Sequence, residues 1–184
     1  MSADCRQFKR FNVVGTSGSG KTTFSKQLAG ILAIPYVQMD ALFWGPNWYE
    51  PSDDEFFPRV ERALTQHAWV LDGNYTRTIP IKWARVDCVI WLDYSFLRTV
   101  RQVALRAVGR SISGRELWEG TGNRETFRRS FMSKDSIIWY SMQTHAKTRQ
   151  RLIALMTEPQ YAGIRFIRFT SPKAAEVFLQ SMRR

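Results

Sequence analysis

The chain has 184 residues, of which 44% are hydrophobic, and this suits one domain with a substantial core. Its formal net charge of +11 favours an anionic partner, such as nucleotide phosphates, nucleic acid or membrane headgroups, or a role in solvation. The two cysteines, Cys5 and Cys88, form no metal-type pair and imply no disulfide framework, and no apolar run approaches the ~18 residues of a membrane span.

A phosphate-binding loop is the first motif along the chain. Residues 15–22 read G-T-S-G-S-G-K-T, which satisfies the full pattern G-x-x-x-x-G-K-[ST], and an apolar strand precedes it and a helix follows it. Glycines let the backbone curl so that successive N–H groups point at an anion, and the helix N-terminus adds positive partial charge. The pattern predicts that Lys21 reaches the β- and γ-phosphates and that the Thr22 hydroxyl binds Mg²⁺. The residues predicted to bind the nucleotide are Gly15, Thr16, Ser17, Gly18, Ser19, Gly20, Lys21, Thr22 and Thr23.

Strand-like and helical segments alternate along the chain. Strands are predicted at 11–14, 36–39, 68–71, 88–92 and 164–169. Helices are predicted at 23–32, at 53–66, from Ser95 with Phe96, Val100, Val103 and Ala107 facing inward, at 124–156, and from Pro172. The alternation predicts an α/β fold, a single domain over residues 1–184 with a five-stranded parallel sheet and helices on both faces.

Acidic residues follow several of these strands. Ligands of parallel sheets bind beyond the carboxyl ends of the strands, so we expect Gly15, Asp40, Asp72 and Asp93 to converge. Asp72 is a candidate for the Mg²⁺ site, directly or through water, and its alternative role is a turn or a helix cap. Asp40 is a candidate to accept the proton of an attacking hydroxyl or to hold the acceptor, and a strand-end turn is an equal alternative.

An aromatic stretch lies within residues 41–66, which we interpret as the acceptor-binding segment. Phe43, Trp44, Trp48 and Tyr49 occur together there, among glycine and prolines. Aromatic side chains on a loop can stack on a base or a sugar, but packing against the next helix is the commoner role. Trp44 is the best candidate for substrate contact.

Arginines surround a glycine-containing segment at 109–123. Arg106 and Arg110 precede most of it, and Arg124 and Arg128 follow it with the same spacing of four residues. This arrangement favours an arginine-rich lid that closes over polyphosphate, whereas solvated helix faces are the alternative. Arg77, after the third strand, is a further candidate for substrate contact.

The motifs together resemble those of small P-loop kinases of the adenylate kinase, shikimate kinase and gluconate kinase type. More narrowly, the chain is similar to the adenylate-kinase-like group labelled "DNA topology modulation" proteins. The resemblance covers nearly the whole chain and is carried by residues 15–23, 40–48, 72–75 and 123–126. It implies a nucleoside monophosphate kinase-like P-loop fold that uses ATP and Mg²⁺.

The resemblance also implies roles for single residues. Arg106 and Arg110 match the arginine pair that meets the adenine and the transferring phosphoryl group in adenylate kinases. Pro172, in the stretch 170–172, falls where such kinases wrap the adenine. Asp40 falls where shikimate and gluconate kinases place the carboxylate that holds an acceptor hydroxyl. The monophosphate-binding helix of adenylate kinases is not recognisable in 41–66, which speaks against AMP as the acceptor.

From these observations we predict an ATP- and Mg²⁺-dependent phosphotransferase with a small-molecule acceptor, acting as a monomer or homodimer. Lys21, Asp40, Arg106, Arg110, Arg124 and Arg128 are its predicted catalytic residues. A P-loop ATPase that binds nucleic acid is the alternative that the charge supports, although no nucleic-acid module is recognisable. No N-K-x-D guanine motif occurs. The polar, basic N-terminus has no apolar signal-peptide core, so we expect a cytoplasmic protein without a membrane partner.

Overall fold

A five-stranded parallel sheet forms the centre of the computed structural model, which describes residues 3–113, 116–118, 120–124 and 137–183. The strands are β1 (Arg10–Gly15), β2 (Tyr36–Gln38), β3 (Trp69–Asp72), β4 (Cys88–Leu92) and β5 (Arg165–Phe169). Their order across the sheet is β2-β3-β1-β4-β5, and every neighbouring pair is parallel. The strand that leads into the phosphate-binding loop is therefore central, which confirms the predicted fold class.

Helices cover both faces of this sheet. In the described residues the α-helices are α1 (Lys21–Leu32), α2 (Met39–Phe43), α3 (Asp53–Ala63), α4 (Ile79–Trp83), α5 (Phe96–Ser113), α6 (Ile137–Thr157) and α7 (Pro172–Met182). Side chains of a strand alternate between its two faces, and β1 follows this rule. Val13 packs in one core with Leu28 of α1 and Phe178 of α7, whereas Val14 packs in the other core with residues of α3 and α6.

The turn from β2 into the next helix differs from the prediction. The sequence predicted a strand at 36–39 that ends at Asp40, but β2 ends at Gln38 and Asp40 lies in the first turn of α2. A carboxylate in the first turn of a helix interacts favourably with the helix dipole, which supports this start. The apolar run was too short to distinguish the end of a strand from the beginning of a helix.

The segment after β4 also differs from the prediction. Helix α5 continues to Ser113, so the first five residues of the predicted 109–123 insert are helical. Val103 and Ala107 are buried as predicted, but Phe96 is 37% exposed because it is the first residue of α5, and its ring packs edge-on against His145. Of the helix predicted at 124–156, residues 137 onward are helical, and residues 125–136 lie outside the described residues.

Other boundaries agree closely with the sequence patterns. The fourth strand has the predicted bounds, and the last helix begins at Pro172. Helix α3 ends at Ala63, three residues earlier than predicted, and the Arg85 guanidinium binds the carbonyl of Leu64 just beyond its end. None of the helices in the described part of the chain is long and apolar enough to cross a membrane.

Candidate active site

The loop between β1 and α1 has the backbone geometry that phosphate binding requires. Gly18 and Gly20 have φ angles of 78° and 83°, in the region that favours glycine. A Cβ atom on Gly18 would lie 2.4 Å from the carbonyl oxygen of Thr99, so even alanine does not fit there. Gly20 is the N-cap residue of α1. The backbone N–H groups in the first turn of that helix, which have no partner within the helix, therefore lie at the loop. The curled loop and the helix N-terminus together form a cradle for an anion.

Two side chains of this loop carry buried hydroxyl groups, and two cationic side chains lie beside it. The hydroxyl oxygens of Thr16 and Ser19 are buried and have no hydrogen-bond partner among the described residues. Lys21 Nζ lies 3.4 Å from the carbonyl oxygen of Thr16, and Arg106 donates to the Ser17 hydroxyl at 3.3 Å. Withdrawal from water lowers the pKa of Lys21, and the charges of Asp72 and Asp40 partly oppose that effect. An entering phosphate would satisfy both the free hydroxyls and the cations.

The predicted metal residues meet at the carboxyl ends of β1 and β3. Asp72 is 4% exposed, and its Oδ2 accepts hydrogen bonds from the Thr22 hydroxyl at 2.6 Å and the Tyr36 hydroxyl at 3.1 Å. Burial and the carboxylate of Asp72 raise the pKa of Tyr36, so this phenol stays a donor. The Oδ1 atom of Asp72 is buried and has no hydrogen-bond partner in the part of the chain that the structure describes. A carboxylate with one free buried oxygen beside a hydroxyl fits a Mg²⁺ ion or a water bound to it.

No group of three or more histidine, cysteine or acidic residues that could enclose a metal occurs within the described ranges. Mg²⁺ keeps several waters and takes few protein ligands, with substrate phosphates completing its shell, so the Thr22 hydroxyl and the Asp72 carboxylate are donors that this ion can use.

Asn74, two residues after Asp72, holds the phosphate loop through hydrogen bonds to Gly15. Asn74 accepts the N–H of Gly15 at 3.0 Å and donates to the carbonyl of Gly15 at 2.8 Å, so one amide side chain holds both polar groups of that residue. The sequence prediction missed this contact. The sequence signal that could have indicated this contact is the position of Asn74, two residues after the end of β3.

Two buried side chains donate hydrogen bonds to the backbone of the same turn. Asn12 donates to the carbonyls of Leu71 and Gly73 at 3.2 Å each. The ammonium of Lys82, which is fully buried, donates to the carbonyls of Gly73 and Asn74. Burial lowers the pKa of Lys82 to about 7. The turn that carries Asp72 is therefore fixed by hydrogen bonds on both sides.

Asp40 faces the site from α2 and has a partner that the sequence did not reveal. The Tyr75 hydroxyl donates to Asp40 Oδ1 at 2.8 Å, and the Tyr75 ring packs against Phe43 and Phe56. Tyr75 has a φ of 24°, which is unusual for a residue other than glycine. Such strained conformations persist where the surroundings over-determine them, and they concentrate at functional sites.

Arg77, predicted to contact substrate, has other partners in the structure. Its guanidinium forms an ion pair with Asp53 at 2.9 Å and lies over the rings of Phe43 and Phe56, 5.0 and 5.3 Å from their centres. These contacts attach the turn after β3 to the beginning of α3. Asp93, expected to converge on the site, pairs with Arg149 at 3.1 Å and with Arg168, and so links the end of β4 to β5 and α6.

The described part of the predicted lid lies on the aromatic segment. Trp118 stacks on Trp44, with ring centres 6.1 Å apart and planes 16° apart, and it meets Trp48 edge-on at 5.7 Å. The buried Asn123 side chain donates to the carbonyl of Gly45 at 2.9 Å and accepts the N–H of Trp48 at 2.8 Å. The sequence analysis gave no role to Trp118 and included Asn123 only in the stretch 123–126 that carries the family resemblance.

The expected helices contain Arg106, Arg110, Thr23 and Pro172, whereas Arg124, predicted to begin a helix, is not helical. Arg106 lies in α5 beside the phosphate loop, and Arg110 lies one turn further along the same helix. Arg124 forms an isolated antiparallel bridge with Glu116 through the backbone. Thr23 is an exposed residue of α1, Pro172 begins α7 after β5, and Arg128 lies outside the described residues.

Comparison with known proteins places this geometry in a family. No protein-family model matches the chain. A cytidylate kinase from Pyrobaculum aerophilum is 30% identical over 136 residues, covering 66% of this chain and 72% of that protein. A shikimate kinase from Acinetobacter baumannii in complex with shikimate has a TM-score of 0.58 at 16% identity, over 99% of this chain and 94% of that one. A gluconokinase from Sinorhizobium meliloti has a TM-score of 0.49 at 14% identity, over 95% and 89% of the two chains.

The shikimate kinase likeness confirms the fold, because its coverage is nearly complete in both chains. The cytidylate kinase likeness extends to the sequence over more than two thirds of that relative. The chain therefore belongs to the same family of small P-loop kinases as this cytidylate kinase and is itself a small-molecule kinase.

Proposed function

We propose that the protein transfers the γ-phosphoryl group of ATP, in a Mg²⁺-dependent reaction, to a small molecule bound beside Asp40 and Tyr75. The observation that carries this proposal is the meeting of the phosphate loop with a buried carboxylate: Thr22 and Asp72 are hydrogen-bonded at 2.6 Å, and one oxygen of Asp72 has no partner among the described residues. Phosphoryl transfer needs positioning and charge stabilisation more than covalent chemistry by the protein, and this arrangement supplies both.

Each group has a part in an in-line transfer. The loop amides and Lys21 hold the phosphates, and Arg106 balances the charge on the transferring group. Thr22 and Asp72 would hold Mg²⁺, which, when bound, neutralises charge on the β- and γ-phosphate oxygens. The acceptor oxygen forms a bond to the γ-phosphorus as the bond to ADP breaks, and Asp40 takes the proton when the acceptor is a hydroxyl. In this proposal Arg110, Arg124 and Arg128 close over the phosphates.

The acceptor is the finer part of the proposal. The name of the cytidylate kinase relative makes cytidine nucleotides a first group to test. The carboxylate at Asp40 favours a hydroxyl acceptor, because a negative group beside the acceptor repels a phosphate. The resemblance to the "DNA topology modulation" group rests on the stretch 40–48. It does not by itself choose between a cytidine nucleotide and another hydroxyl compound as the acceptor.

A Lys21→Ala variant tests the assignment. We expect turnover to fall by about 10²-fold or more, as for other losses of a preorganised charge in an active site, with the thermal unfolding temperature little changed. Lys173→Ala, which removes an exposed lysine of α7, is the matched control and should keep wild-type turnover. The assay is transfer of labelled phosphate from ATP with Mg²⁺, repeated with EDTA. Wild-type turnover in Lys21→Ala, or undiminished turnover in EDTA, contradicts the proposal.

A second function, a P-loop ATPase that binds nucleic acid, is supported by the net charge of +11. Its signature is DNA binding without nucleotide that weakens steeply with salt. ATP hydrolysis that DNA stimulates, without labelled phosphate appearing on any small molecule, would favour this second function over the kinase.

A further inference from the structure

Three tryptophans from two separate segments form one cluster beside the acceptor carboxylate. Trp44 and Trp48 follow α2, and Trp118 follows α5. The ring centres of Trp44 and Trp48 are 5.4 Å apart, and Trp118 contacts both at 6.1 and 5.7 Å. All three side chains are only partly buried, so each keeps exposed ring surface. The cluster is therefore not a sealed part of the core.

The loop that carries two of these rings is held in an unusual conformation. Asn47 and Trp48 have φ angles of 54° and 62°, two consecutive residues in the region that favours glycine. Asn123 stabilises this arrangement, because its buried amide binds the carbonyl of Gly45 and the N–H of Trp48. A strained loop held by one buried side chain from a distant segment is typical of a binding site rather than of a plain connection.

Ring contacts connect this cluster to the acceptor carboxylate. Trp44 packs edge-on against Phe43 at 5.1 Å, and Phe43 packs against Tyr75 at 5.2 Å. The Tyr75 hydroxyl in turn binds Asp40. A chain of packed rings, in which Phe43 is buried, therefore joins the tryptophan cluster to the tyrosine that binds Asp40.

We propose that Trp44, Trp48 and Trp118 form a wall against which a ring of the acceptor packs, and that Asn123 positions this wall. Indole faces bind the faces of nucleobases and the C–H faces of sugar rings, and they offer much less to an open-chain polyol. The acceptor class is therefore a hydroxyl compound with a base or sugar ring. This inference rests on the proposed function for the identity of the acceptor site, and it adds Trp118 and Asn123 as specificity-determining and positioning residues.

Binding experiments test the wall without requiring turnover. Intrinsic tryptophan fluorescence is titrated with cytidine, adenosine and methyl riboside as ring-bearing probes, and with ribitol and gluconate as open-chain probes. We expect saturable quenching by at least one ring-bearing probe and a Kd about tenfold weaker in Trp118→Ala, as expected for loss of one stacking contact. Trp118→Phe, which keeps a ring, should recover most of the affinity. Cytidine compared with methyl riboside distinguishes a base from a sugar ring.

The positioning role of Asn123 has its own readout. In Asn123→Ala we expect the KM for the ring-bearing acceptor to rise by about tenfold with a smaller change in kcat, and the Kd for ATP to stay within about twofold. Because Asn123 is buried and its variant can fail to fold, the partly buried Trp118 supplies the independent test. Open-chain probes that bind as tightly as ring-bearing ones, no quenching by any ring-bearing probe, or an unchanged Kd in Trp118→Ala overturns the inference. Failure of labelled phosphate transfer, by contrast, counts against the proposed function alone.

Discussion

Lys82 offers a prediction whose size follows from its surroundings. Its ammonium is fully buried between α4 and the turn after β3, and burial lowers its pKa from 10.5 to about 7. That difference means that the folded state disfavours the charged form of Lys82 by about 5 kcal/mol of free energy. In the unfolded chain the lysine keeps its proton up to its ordinary pKa. Between pH 7 and pH 10 the unfolded state therefore binds more protons, and the folded state gains stability as the pH rises.

Replacing Lys82 by methionine isolates this effect. The Lys82→Met side chain has similar length and no charge, although it removes a donor from the carbonyl of Asn74. Integrating the linkage relation from pH 7 to pH 9, we expect the free energy of unfolding of the wild type to rise by about 2 kcal/mol relative to that of Lys82→Met. Below pH 6 the difference between the two proteins should be constant, because both states of the wild type are then protonated.

Urea unfolding followed by circular dichroism at pH 6, 7, 8 and 9 measures this difference. Other titrating groups are common to both proteins and cancel in the comparison. Parallel pH profiles for wild type and Lys82→Met would refute the reasoning, since they would mean that Lys82 remains charged in the folded protein up to pH 9.

Three further substitutions probe the site. Asp72→Asn keeps the size of the side chain but removes its charge, so we expect the concentration of Mg²⁺ needed for half-maximal turnover to rise by about tenfold or more; an unchanged Mg²⁺ titration would mean that the metal lies elsewhere. Tyr75→Phe removes the hydrogen bond to Asp40, and kcat for the acceptor should fall by about tenfold while the Kd for ATP is retained; equal losses in both would indicate a general disturbance of the fold. Gly18→Ala places a methyl group against the carbonyl of Thr99, and we expect a loss of about 1–3 kcal/mol in unfolding free energy, measured by urea denaturation; wild-type stability would show that the loop and α5 can separate freely.

The sheet and the phosphate loop could be predicted because their signals are local. The loop pattern occupies eight consecutive positions, and β4 is an apolar run of five residues followed by Asp93. The bounds of β4 were predicted correctly for this reason. The short helix α2 was missed, because five residues carry too little periodicity to separate a helix from the end of a strand.

The hydrogen bonds that hold the site residues in place could not be predicted, because they join residues far apart in the sequence. Tyr75 binds Asp40 across 35 residues, Asn74 binds Gly15 across 59, and Asn123 binds Gly45 across 78. Nothing in the local sequence distinguishes Asn123 from a solvent-exposed asparagine in a glycine-rich loop. The burial of Lys82 was hidden in the same way, since a lysine in a short helix is usually exposed.

The turn at residues 72–75 gives four consecutive residues four different tasks. Asp72 meets Thr22, the carbonyl of Gly73 receives Asn12 and Lys82, Asn74 holds Gly15, and Tyr75 reaches Asp40. A Cβ atom on Gly73 would lie 2.6 Å from the Met39 side chain, so the turn also has no spare room. A single inserted or deleted residue here would shift the contacts to Thr22, Gly15 and Asp40 out of register with one another at once. This tetrapeptide thus sets the positions of Gly15, Thr22 and Asp40 relative to one another, and in the proposed reaction a change in acceptor preference has to arise in the loops around it.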